Sequence, residues 1–149
     1  MIVEAGMVEL MRDFDVSAGC VFAAFSDEKA QLAWGNPGDG WSMGFDRFSF
    51  AVGDCDICRF GPDGGQQYLN ENTYLKIEAD RSIVYATTLS SEGRISFAGT
   101  VVITLQPEGD RTRMRLIEQG LYFDGLDDVE DHRVGWSSML DALGRHLGS

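Results

Sequence analysis

Positive charge is scarce in this chain: Lys and Arg total 12 against 24 Asp and Glu, a formal charge of −12 at pH 7. A phosphate backbone is repelled by such a surface, and no Lys/Arg run makes a local exception, so nucleic acid is not an expected partner. Long apolar runs are lacking too, and nothing approaches the roughly 20 residues that a membrane-crossing helix needs. Cysteine is limited to three, an odd count that makes no disulfide framework. The opening MIVEAGMVELMRDFD has no basic stretch followed by an apolar block, so it does not read as a secretory signal. A reduced, cytoplasmic setting is the expectation. Histidine occurs twice, with no metal-ligand spacing and no Gly-rich nucleotide fingerprint, so neither metal nor cofactor is expected.

What is present is ordinary globular material, 44% hydrophobic and 24% charged. Residues 1–149 read as one domain, without linker, repeat or low-complexity segment. Residues 8–14 alternate as a short first strand. Ser17 is placed to cap a short helix through AGCVFAAF, with Val21, Phe22 and Phe25 on one face, and Asp27 a second through EKAQLAW. GNPGDGW follows as a loop. From Phe45 to about Phe123 strands succeed one another, beginning with FDRFSFAV, in which Phe48, Phe50 and Val52 share a side. The turns GPDGG, ADRS, SSEGR and PEGD separate the later ones. Val101, Ile103 and Leu105 form one inward set, and Met114, Leu116 and Glu118 another. In TYLKI the inward face stays open, because Tyr74 competes with Leu75 and Ile77.

The last segment predicts a helix from Asp128 to Leu147, with Asp127 and Glu130 as a capping-box-like start. Trp136, Met139, Leu140, Leu143 and Leu147 make its apolar stripe. Gly135 and Gly144 each cost such a helix about 1 kcal/mol relative to Ala, which predicts a close neighbour at its backbone. The order of elements predicts an α+β fold. A curved antiparallel sheet of about six or seven strands wraps the long helix, with two short helices after the first strand and a cavity beneath the helix.

Cys55 and Cys58 form a Cys-x-x-Cys pair in a run that reads as strand. Strand residues three apart point to opposite faces, with Cα atoms about 10 Å apart, beyond the ~7 Å reach of a disulfide. No helix follows to lower a thiol pKa. Cys20, His132 and His146, the remaining ligand types, lie at no recognisable metal spacing. The pair is read as two ordinary strand residues.

Three stretches carry a family resemblance: VSAGCVFAAFSDEKAQLAW, GPDGGQQYLNENTYLKIEADRSIVYAT, and RLIEQGLYFDGLDDVEDHRVGWSSMLDALGRHL. In this order the chain resembles homologues of the activator of the heat-shock-protein-90 ATPase, within the START/SRPBCC superfamily of helix-grip folds. It departs from them in SFAVGDCD, where relatives often carry Asp and Arg before Gly-Gly, and in Trp34-Gly35, where they have Trp-Trp-Gly. The departures imply a more apolar cavity. The resemblance implies a hydrophobic small-molecule ligand, such as a lipid, sterol or polyketide, held between sheet and helix. The chaperone activators carry this fold beside a second domain, and one domain is read here, so a chaperone partner is only weakly implied. A homodimer remains an option.

Such a pocket is lined by bulky apolar groups and a few orienting polar ones. The candidates are Trp34, Phe48, Phe50, Tyr85, Phe97, Met114, Glu118, Trp136, Met139 and Leu140. Phe48, Phe50, Met114 and Leu140 read more readily as plain core. Glu118 is the one candidate acid or base for a cyclase- or dehydratase-type reaction; its plainer reading is a solvated or Arg-paired carboxylate at the open end of a strand. Tyr68, Tyr74 and Tyr85 could donate hydrogen bonds to a ligand. His132, in a polar first turn, is expected to be exposed, and no catalytic triad is legible.

Overall fold

The computed structural model describes residues 1–149. Strand β1 (Val3–Phe14) is followed by helices α1 (Ala18–Ser26) and α2 (Glu28–Gly35). Six strands come next: β2 (Trp41–Arg47), β3 (Cys55–Pro62), β4 (Tyr68–Glu78), β5 (Ser82–Ser91), β6 (Arg94–Glu108) and β7 (Arg111–Phe123). Helix α3 (Val129–Leu147) closes the chain. All seven strands form one antiparallel sheet in the order β1-β7-β6-β5-β4-β3-β2. The helix pair α1–α2 therefore carries the chain from one edge of the sheet to the other. This is the helix-grip α+β fold that the sequence predicts.

Alternation builds the packed end of the sheet. In β7, Thr112, Met114, Leu116, Glu118 and Tyr122 are buried. The intervening Arg113 and Arg115 reach outward to Asp13 and Glu9 of β1. Val101, Ile103 and Leu105 of β6 join the buried face, and Leu140 and Leu143 of α3 close over it with Phe14, Val21 and Phe25. Each fully buried aliphatic side chain contributes about 1.5–3 kcal/mol relative to an exposed one. Three glycines lie abreast in register here, Gly6 beside Gly120 and Gly120 beside Gly99. A Cβ on Gly99 would stand 2.2 Å from the Gln119 carbonyl oxygen, and one on Gly120 only 2.6 Å from the Phe97 ring. The row lets the backbones bend closely together, and Phe97 fills the space that side chains would have taken.

The other end departs from the expected pattern. The second strand is Trp41–Arg47 rather than FDRFSFAV, so Trp41, expected in the loop, opens it. The chain leaves the sheet after Arg47, and Phe50 takes a left-handed φ of 47°. Asp56 holds that conformation, accepting from the Ser49 and Phe50 amides at 2.7 and 3.1 Å. Phe50 packs edge-on against Phe22 and Tyr74, while Val52 is left exposed. The residue that matters in the CDIC tetrapeptide is thus Asp56. Cys55 is half-buried and Cys58 buried, and both thiols are free. Burial, with the charge of Asp46, pushes the Cys58 thiol up to about 11, so it stays protonated.

In TYLKI a bulge between Tyr74 and Lys76 adds one residue to β4. Tyr74 and Ile77 then both pack toward the core and Leu75 is exposed. Helix α3 is capped by Asp128, which accepts from the Asp131 amide at 2.8 Å, not by Asp127. A Cβ placed on Gly144 would meet the Phe14 ring at 3.7 Å, but nothing lies within 4 Å of one placed on Gly135. The close approach expected at Gly135 is absent, and what lies beside it is open cavity.

Candidate functional site

A cavity of about 1440 Å³ opens between the concave face of the sheet, α2 and α3. Seven of the ten residues expected at a pocket line it: Trp34, Phe50, Tyr85, Phe97, Glu118, Trp136 and Met139. Phe48, Met114 and Leu140 do not. Met114 and Leu140 are 0% and 1% exposed and belong to the solid core. Phe48 sits outside with the loop that follows β2, its ring against Phe45 at 4.9 Å. Their removal follows from geometry: the stripe of α3 fills the core at Leu140 and Leu143 and reaches the cavity only at Trp136 and Met139.

The walls differ in chemistry. Trp34 is anchored by its indole N–H, which donates to the Ala24 carbonyl at 2.9 Å, and its ring meets Phe25 edge-on at 5.0 Å. Tyr74 and Tyr85 lie 5.5 Å apart on β4 and β5. Burial raises both phenols, with the charge of Asp56 adding at Tyr74, and the neighbouring Tyr74 and Glu118 adding at Tyr85. Both stay neutral, with an O–H to offer. The adjoining wall is polar, against the expectation of a more apolar cavity. Asn70 donates to the Thr87 hydroxyl and the Thr88 carbonyl at 3.0 and 3.1 Å, and Asn72 donates to the Asn70 oxygen at 3.2 Å. Tyr68, Asn70, Asn72 and Tyr74 all line the cavity. Their shared parity in YLNENTY was a signal that the sequence contained.

His132 is the main correction. Expected to be exposed, its side chain is 13% exposed and lies between two carboxylates. Its Nδ1 is 2.6 Å from Glu118 Oε1 and its Nε2 is 2.5 Å from Asp127 Oδ2. The second Glu118 oxygen accepts from the Trp136 indole N–H at 2.9 Å. The rings of Phe97 and Tyr122 pack on the imidazole at 4.4 and 5.1 Å. Burial acts against the charged imidazole, but the hydrogen bonds to Asp127 and Glu118 outweigh it and hold the pKa up to about 9. Glu118 is therefore neither solvated nor Arg-paired. It is buried, and both its oxygens are committed to α3. The only sequence signal was the acid Asp127 five positions before His132 and outside the helix. The carboxylate from β7 becomes visible only once strand and helix are packed.

The arrangement can enclose a molecule against aromatic rings while presenting amide and phenol groups to it. No three His, Cys, Asp or Glu side chains gather in a way that would hold a metal ion. No helix is long and apolar enough to cross a membrane.

Comparison with known proteins agrees with this geometry. The Mll3558 protein of Rhizobium loti is 29% identical, with 98% of this chain and 99% of that one covered and a TM-score of 0.88. A putative uncharacterized protein of Rhizobium leguminosarum shares 22% identity over 99% of both chains, with a TM-score of 0.84. Protein CV1439 of Chromobacterium violaceum shares 21% over 96% of this chain and 97% of its own, also at 0.84. These last two show the fold alone. No curated protein matches the sequence. The family described as activator of Hsp90 ATPase homolog 1-like protein matches residues 15–148, and with that span inside a helix-grip fold the chain belongs to this family of the SRPBCC superfamily.

Proposed function

We propose that the protein binds a small, largely apolar molecule in the cavity between the sheet and α3. The fold and family support a ligand-binding or interaction module in general. The observation that carries the finer reading is the cavity itself, about 1440 Å³ with Trp34, Tyr85, Phe97 and Trp136 on its walls. A filled core would have closed over α3 along its length; here Gly135, Trp136 and Met139 face open space. The three free thiols fit a reducing cytoplasm, and residues 1–149 serve as one binding domain.

The cyclase- or dehydratase-type alternative needs a carboxylate free to exchange protons, and Glu118 has both oxygens engaged by His132 and Trp136. Glu118 acts here as a clasp between β7 and α3. Native mass spectrometry of gently purified protein, set against its denatured mass, tests the proposal. The expected result is an added mass of lipid or polyketide size that is lost on denaturation. A clean unliganded mass, together with no change in Trp fluorescence across a panel of apolar compounds, overturns it. Glu118→Gln is expected to leave affinity for the recovered compound within a few-fold.

A further inference from the structure

We propose that the ligand of this cavity carries an uncharged hydrogen-bond donor, a hydroxyl or N–H, which meets Asn72 Oδ1, and that it has no anionic head group. This rests on the cavity-binding reading above and narrows it to a ligand class. The argument begins at an atom whose role is fixed. The Thr88 carbonyl can only accept, so the Asn70 group that meets it at 3.1 Å is the amide nitrogen. Asn70 Oδ1 is thereby turned toward Asn72, and the group of Asn72 that meets it at 3.2 Å must be a donor. Asn72 Oδ1 is left at the free end. Reversing either amide would set two acceptors against each other.

That terminal oxygen is shielded from solvent and has no hydrogen-bond partner. A buried acceptor without a donor is a deficit that folded proteins rarely leave unmet. The side chain itself lines the cavity. The terminal torsion of asparagine is broad, so rotation of the Asn72 amide brings Oδ1 to the cavity. Water can satisfy the atom when the cavity is empty, and a ligand that displaces it must donate in turn.

Charge on the walls points the same way. Glu92, Glu118, Asp127, Asp131 and Asp141 line the cavity, against only Arg94 and Arg145 among the arginines and lysines. Both arginines are exposed at the rim, as are Glu92, Asp131 and Asp141, and deeper in the charge of His132 is already enclosed by Glu118 and Asp127. A carboxylate or phosphate carried inside finds no free cation, and the chain as a whole carries −12.

The test compares matched compounds on two scaffolds: dodecanol, dodecyl methyl ether and dodecanoate, and naphthol, methoxynaphthalene and naphthoate. Affinities are read from quenching of the cavity tryptophans and by calorimetry. The hydroxyl compound of at least one series is expected to bind about tenfold more tightly than its ether and its carboxylate. In Asn72→Leu the hydroxyl-over-ether preference should fall to about twofold or less, with ether affinity kept. Binding of a series with no hydroxyl preference in the unaltered protein, or with the carboxylate favoured, overturns this inference and leaves the cavity-binding reading standing. A preference that survives in Asn72→Leu also overturns it. If no compound of either series binds and the native mass is also that of the unliganded protein, the cavity-binding reading falls and takes this inference with it; a co-purified compound that lacks a hydroxyl or N–H overturns this inference alone.

Discussion

The two ends of the sheet are made from the same kind of strand and treated in opposite ways. Toward β1, β7 and β6 most inward positions are filled, with the level of Phe97, Val101 and Glu118 reaching the cavity, and α3 lies on this end through Leu140 and Leu143. Toward β3, β4 and β5 the polar Asn70, Asn72 and Thr87 join Cys58, Tyr74, Ile83 and Tyr85 among the inward positions, and all of them look into a cavity. Close packing accepts only apolar groups of matching shape, whereas a binding wall needs polar groups with unused hydrogen-bonding capacity. The clasp of Glu118, His132 and Trp136 lies at the boundary and ties the first half of the helix to β7. One sheet can therefore supply both a stabilising core and a receptive surface, provided the helix covers only part of it.

The comparison breaks if truncation costs the same at both ends. Leu116→Ala, in the filled end, should lower the unfolding free energy by about 3 kcal/mol, and Met139→Ala, at the cavity, by about 1 kcal/mol or less; urea denaturation measures both. The boundary is sharpened by pH. The His132 pKa is raised from 6.5 to about 9 in the folded protein, so its contribution is complete below pH 6.5 and is lost as pH rises through about 9. That contribution is on the order of 3 kcal/mol. It should appear as a falling melting temperature across this window, with most of the slope removed in His132→Gln and an NMR titration of the imidazole centred near the upper value. At the cavity end, Asp56→Asn should cost about 2 kcal/mol by weakening the amide contacts that hold Ser49 and Phe50. Loss of protection of those amides in hydrogen exchange would report it. One small effect has the opposite sign. Gly135→Ala should stabilise by about 1 kcal/mol, because the helix gains propensity and the added methyl meets nothing within 4 Å; a thermal melt suffices.

The same division explains what could be read from sequence. Val101, Ile103, Leu105, Met114 and Leu116 announce their faces because period-two alternation is the direct signature of one packed side. The caps Ser17 and Asp27 were legible for a local reason, since each serves an amide three residues on. FDRFSFAV misled because Phe48, Phe50 and Val52 imitate alternation, while Asp56, on the next strand, bends the chain through Phe50. The face of TYLKI depended on a bulge that composition does not encode. For the site, aromatic residues were legible as types, but which of them line space and which fill it depends on how far α3 extends over the sheet. His132 was hidden because both its partners lie outside its own helix.

The row of Gly6, Gly120 and Gly99 acts as a crease across three strands. A crease sets the angle between the panels on either side of it, and here Phe97 on one side and Val101 and Glu118 on the other all reach the cavity. Phe97 lies in that crease and also faces the cavity and His132. The aperture is thus governed from the hinge line, by residues that have no side chain with which to touch an occupant.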